Sequence, residues 1–403
     1  MNVPFPVTSS NTTRSELAYP NNNSGRDLRL DFLRGLIMLV VITVHMEYFS
    51  LFSMFVWERL GLVSSAEGFV GLSGIVLGIV YKKRLLREGF KSVALKLWKR
   101  SFQLYRVNLF VILSIAVLGT IPFIDVHAVT HWAPIAHQDQ SYLLYPPSSA
   151  SWIEIVKEAL LLRIGPHQFQ VIGLYVGLIA MAPLALFCMH RRKTVLLIAA
   201  SWSAFGINQM LYLRITGARF EFAFPSLTWQ LVFINAMVVG YHHEKMLGYI
   251  AGDKNRVLIL SAGLLSLGFL FLALNNPNRI FWPWPPLSFI DAVAYREMYV
   301  DWFQKSGLGL GRLMNIVALF IVFYYALSHY WLPLDKALGW LLVPLGQASL
   351  YVFILHVYFV LLVSNTSLPD YDSFFINTAI HATTILLIWA MVKGRVLFQV
   401  IPR

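Results

Sequence analysis

Cysteine is all but missing. The single Cys188 can close no disulfide within the chain, so no covalent staple supports the fold. Charge is scarce as well: Asp, Glu, Lys and Arg make up 13% of 403 residues against 57% hydrophobic ones, too few to coat a water-soluble particle. Beyond residue 25 there is no long polar stretch, which excludes a sizeable soluble domain and leaves one membrane-embedded unit over 26–403. Residues 1–25, MNVPFPVTSSNTTRSELAYPNNNSG, lack the apolar core of a signal peptide and read as a disordered polar tail. No convincing duplication relates the two halves, which weakens an inverted-repeat transporter.

What is present is apolar length. Runs of about 17 to 23 residues match the thickness of a hydrocarbon core. Reading them between polar breaks gives spans at roughly 30–50, 66–81, 103–121, 169–189, 194–212, 227–241, 257–274, 313–330, 341–363 and 376–392. The expectation is an all-α, polytopic integral membrane protein of about ten transmembrane helices. Of the 32 Lys and Arg residues, 21 fall before the first span, after even-numbered spans and at the C-terminus, and nine in the longer opposite loops. Cationic loops stay in the cytoplasm, so both termini are expected there. The same rule accounts for the net charge of +12 without nucleic acid, leaving membrane lipids as the surrounding partner. Residues 82–100 combine a basic face with Leu85, Leu86, Phe90, Val93 and Leu97, which predicts an amphipathic helix on the cytoplasmic leaflet. The outer loops 122–168 and 275–311 are long and aromatic, as functional loops are.

Two ionisable residues interrupt the first span, RLDFLRGLIMLVVITVHMEYF. Arg34 and His45 lie eleven positions apart, so on a helix they differ by only about 20° around the axis and about 16 Å along it. Buried charge in hydrocarbon costs several kcal/mol, which makes such a stripe a functional candidate. The plainer alternative is an arginine reaching to the headgroups and a histidine satisfied between helices. Glu67, at the outer start of the second span, is a candidate to orient His45 and make it a general base, or simply a helix N-terminal charge. Glu47 is nearer in sequence, but on a continuing helix it would point about 200° away from His45. On the inner side Arg100 and Arg106, in WKRSFQLYRVNLF, join Arg34 as candidate ligands for an anionic cofactor, against plain topological anchoring.

Arg34 and His45 together resemble the R-x10-H motif of the acyltransferase family 3 membrane proteins. FVGLSGIVLG (69–78) and KRSFQLYRVNL resemble that family's second-span Ser-Gly segment and third-span Arg segment. Within the group the chain is similar to the OpgC type, succinyltransferases of osmoregulated periplasmic glucans. The similarity runs through VIGLYVGLIAMAPLALF, FPSLTWQLVFINAMVVG, GLGLGRLMNIVALF and LGQASLYVFILH. The resemblance implies an O-acyltransferase of a bacterial inner membrane that moves an acyl group, succinyl favoured, from cytoplasmic acyl-CoA to a hydroxyl of a periplasmic or cell-surface glucan. Arg34 would then meet the CoA phosphates and His45 would be catalytic. A transporter or flippase for a glycan or lipid-linked sugar is the alternative.

On the acceptor side, Trp282, Trp284, Trp302 and Asp291 could stack and bind a sugar, or the aromatics could form an interfacial belt. His127, His131, His137 and His167 occupy the other outer loop without the tight spacing of a metal site, so no metal is expected. His356 and His381 read as hydrogen-bonding residues between packed helices.

Overall fold

The first long helix forms where the chain can cap it: Asp27 accepts from the amide of Arg29 and opens α1, Leu28–His45. In the computed structural model, which describes residues 17–20, 26–133, 141–147, 149–252, 254–277, 287–368 and 373–402, the chain is 73% helix and 1% strand. The class is all-α. The other long helices are α2 (Ser65–Leu118), α3 (Val171–His190), α4 (Thr194–Leu211), α5 (Ser226–Tyr241), α6 (Arg256–Leu274), α7 (Leu310–His329), α8 (Trp340–Gln347), α9 (Ser349–Ser364) and α10 (Phe374–Lys393). The expected tail lies mostly outside the described residues. Tyr19 is an exception: its amide donates to the Ser328 carbonyl at 2.9 Å and its ring packs over Arg29.

Six described helices are long and apolar enough to cross a bilayer. The pair Trp331–Gln347 and Ser349–Ser364, bent by 90°, adds a seventh if taken as one broken span. The ten runs seen in the sequence divide differently for physical reasons. Two of them fuse into the 54-residue α2, interrupted only at Gly89, whose φ of 78° breaks the helical path. α5 has only 16 residues. α1 carries Arg29, Asp31 and Arg34, and it ends at His45 rather than at residue 50. Residues 82–100 form the meeting ends of the two arms of α2 rather than a helix of their own. Leu85, Val93 and Leu97 are buried there, whereas Leu86 is exposed and stands off the expected apolar face.

α2 packs along α5 and α3, α1 along α8, and α6 along α7. The α1–α8 seam matters most for function because it fixes the backbone on either side of Arg34. A Cβ on Gly35 would stand 1.9 Å from the Leu342 carbonyl oxygen, and one on Gly346 would stand 1.8 Å from that of Asp31. Only glycine lets the two backbones touch. The contact brings the bend between α8 and α9, and with it Ser349, onto α1.

Candidate functional site

Arg34 and His45 of α1 both face α9. Nη2 of Arg34 donates to Oγ of Ser349 at 2.5 Å, and Nδ1 of His45 lies 2.9 Å from Nε2 of His356. Ser349 and His356 are seven residues apart, two turns of α9, so one stripe on α1 meets one stripe on α9.

The histidine pair has a defined polarity. His356 is fully buried and its Nδ1 donates to the Phe353 carbonyl at 2.7 Å. In the neutral ring Nε2 then carries the lone pair and accepts the Nδ1 proton of His45. His45 is left with its own Nε2 lone pair unused. That is the tautomer a general base needs, held by one residue acting on another.

The His45 ring borders a cavity of about 1670 Å³. The cavity runs between α1, the first arm of α2, α5 and α7. It is walled mainly by apolar side chains such as Ile37, Val40, Leu72, Val239 and Phe320; its lining also holds His45, His167 and the charged groups of Glu58, Arg59, Glu67, Lys245, Arg296 and Lys305. A mainly apolar wall suits a ligand whose reacting bond must be kept from water.

The two acidic candidates are placed otherwise than the sequence suggested. Glu67 does not orient His45. One of its oxygens accepts from Nη1 of Arg312 at 2.8 Å, and the other accepts the Ser64 amide at 2.9 Å, the reciprocal half of a capping box on α2. Glu67 and Arg312 are both fully buried, and Arg312 also binds Glu58, whose other oxygen accepts the Tyr299 hydroxyl at 3.0 Å. Glu47 does reach the histidines. Because α1 stops at His45 and Glu47 adopts φ 55°, its carboxylate turns to Nε2 of His167 at 3.0 Å. The 200° estimate assumed a helix that has already ended. The His167 ring stands edge-on to that of His45 with centroids 6.1 Å apart.

At the other end of α1, Arg34 keeps one buried donor, Nε, without a hydrogen-bond partner among the described residues, and its guanidinium lies within electrostatic reach of Arg100. Arg100 and Arg106 line a separate basin of about 790 Å³ with Arg84, Arg87, Lys96 and Lys99. Arg106 is on its exposed rim, stacked over Phe102 at 5.4 Å. Arg34 lines neither this basin nor the cavity that His45 borders. Of the predicted acceptor residues, Trp282 and Trp284 lie outside the described residues, as does His137 of the other outer loop; Asp291 caps the helix Ala292–Met298, and Trp302 is exposed.

Sequence reasoning read His356 as a hydrogen-bonding residue between packed helices, which it is, but missed that its partner is His45, and it missed the placement of His167, Arg312 and Lys305. Their signal was present only as polar atoms within apolar or loop segments, with no spacing to say what they face. No curated protein and no solved structure is significantly similar to the chain. The family model described as OpgC protein, in contrast, matches residues 26–399, a range that takes in α1 to α10 and every site residue named above. The chain belongs to the OpgC family, which implies a transferase-type enzyme.

Proposed function

We propose that the protein moves an acyl group, succinyl favoured, from acyl-CoA at the basic end of the bundle to a hydroxyl of a glucan at the opposite end, as in the wider acyltransferase family 3. The observation that carries this reading is the fixed tautomer of His45, whose free Nε2 borders the cavity while Arg34 lies on the same stripe of α1. The excess of Lys and Arg supports a cytoplasmic setting for the basic end, as this reading of a bacterial inner-membrane enzyme requires. The Nε of Arg34, unpartnered among the described residues, and the basic basin of Arg100 and Arg106, within electrostatic reach of it, suit the phosphates of CoA. An extended pantetheine arm spans about the 16 Å that eleven helical residues rise, so the thioester reaches His45 while the nucleotide remains behind.

In the reaction, Nε2 of His45 takes the proton of the acceptor hydroxyl as its oxygen attacks the thioester carbonyl. The new C–O bond forms, the C–S bond breaks, and the proton passes from His45 to the departing thiolate. His356 does not touch substrate. It is a positioning residue that keeps the Nδ1 proton of His45 in place.

Purified protein in liposomes, given labelled succinyl-CoA and a linear glucan, should yield base-labile succinyl ester on the glucan. Glucan that crosses the bilayer unmodified would instead favour a transporter. Arg34→Ala is expected to raise KM for the CoA donor by about 10- to 100-fold, the worth of one or two charge-assisted hydrogen bonds, with kcat little altered. An unchanged KM removes Arg34 from the donor site. His356→Ala should lower kcat by up to about 10²-fold at constant KM, because the base loses its orientation. A loss that falls on KM instead would mark His356 as structural.

A further inference from the structure

Lys305 lines the cavity that His45 borders and, among the described residues, has no carboxylate bonded to it. Its ammonium makes no hydrogen bond or ion pair with any described residue, and its nearest aromatic partner is the Phe224 ring, 5.5 Å from Nζ to centroid. The carboxylates that act on it, Glu67 and Glu58, are both bound by Arg312; one guanidinium between two carboxylates leaves a net negative charge that Lys305 balances, while the ammonium's own N–H donors stay unused among the described residues. They act on Lys305 only through space.

The segment that carries Lys305 is firmly held. The amides of Leu308 and Gly309 donate back to the carbonyls of Lys305 and Gln304 at 3.2 and 3.1 Å. Gln209, at the end of α4, donates to the Gly307 carbonyl at 2.7 Å, and a Cβ on Gly309 would meet the Trp302 carbonyl oxygen at 2.2 Å. A tight, braced turn therefore carries the lysine to the cavity wall, within electrostatic reach of His45. Desolvating an ammonium in a largely apolar cavity costs several kcal/mol unless a partner arrives. A ligand with its own negative charge supplies that partner.

We infer that Lys305 binds the free carboxylate of a dicarboxylic acyl group and so selects acidic over uncharged acyl donors at the His45 site. The inference rests on the acyl-transfer reading for the origin of the carboxylate. It reaches beyond that reading in naming the residue that distinguishes a succinyl thioester from a butyryl thioester of the same chain length. The ammonium would hold the carboxylate while the thioester carbonyl, at the other end of the short chain, stays at His45.

The test compares succinyl-CoA with butyryl-CoA on wild-type protein, Lys305→Met and Lys305→Arg. The ratio of kcat/KM for succinyl to that for butyryl should fall by about 10- to 100-fold in Lys305→Met, the worth of one charge-assisted hydrogen bond, and return largely in Lys305→Arg. Equal losses for both donors would overturn the inference, assigning Lys305 to the acceptor or to the charge balance of Glu58 and Glu67. A second measurement needs no turnover: sodium succinate should raise the unfolding temperature of wild-type protein in detergent more than sodium butyrate does, and Lys305→Met should abolish the difference. Should neither donor be used while this lysine-dependent difference persists, the acyl-transfer reading falls and the carboxylate site stands. Should transfer occur with the ratio unmoved and no difference in protection, the carboxylate site falls and acyl transfer stands.

Discussion

His45→Ala is expected to lower acyl transfer by about 10²- to 10⁴-fold, the usual worth of a positioned general base. The loss should fall on kcat, since the donor's phosphates are held some 16 Å away along α1 and the cavity wall is mostly apolar. Truncation leaves Nε2 of His356 without its donor, a moderate cost to a residue whose other nitrogen remains bonded to Phe353. The variant should therefore fold, and its unfolding temperature is the control. His45→Gln separates proton transfer from packing. A glutamine amide can still donate toward His356 but has no basic nitrogen, so it should restore stability without restoring turnover. Acyl transfer at the wild-type rate in either variant, measured with labelled acyl-CoA and glucan, would remove His45 from the chemistry.

The helical class, the membrane setting and the Arg34–His45 stripe were legible because each depends on local pattern. Apolar run length follows from bilayer thickness, and an eleven-residue spacing has one angular consequence on a helix. Partners across the bundle were not legible. Nothing in LGQASLYVFILH says that His356 faces His45, since that depends on the glycine seam of α1 with α8 and the 90° bend before α9. Glu47 was set aside by extending a helix five residues too far, and helix ends are where apolar runs inform least. Glu67 was assigned to His45 on depth alone, whereas a guanidinium from the start of α7, 245 residues later, takes its carboxylate. Lys305 counted only as one loop cation among nine, because charge patterning reads sides of a membrane and not cavities.

That guanidinium carries the largest expected effect on folding. Arg312 is fully buried, with Glu67 on Nη1, Glu58 on Nη2 and the Phe303 carbonyl on Nε at 2.8 Å, so one side chain ties α7 to the cap of α2 and to the loop after α1. Arg312→Leu would leave the buried Glu67 ionised without its bonded counter-ion, and breaking a buried pair from one side costs about 3–5 kcal/mol. That is a large part of the stability of a typical domain, so the variant should reach the membrane poorly or unfold at a much lower temperature in detergent. Removing the stranded charge as well should reverse much of the loss, because a buried pair replaced by apolar groups is often close to neutral. Arg312→Leu with Glu67→Leu is thus expected to be more stable than Arg312→Leu alone, even though Glu58 then keeps only the Tyr299 hydroxyl among the partners described. If the double variant is no better than the single one, Arg312 and Glu67 do not act as a unit. The cost would then lie with Glu58 and the Phe303 carbonyl, and Glu67→Leu alone should leave stability nearly unchanged.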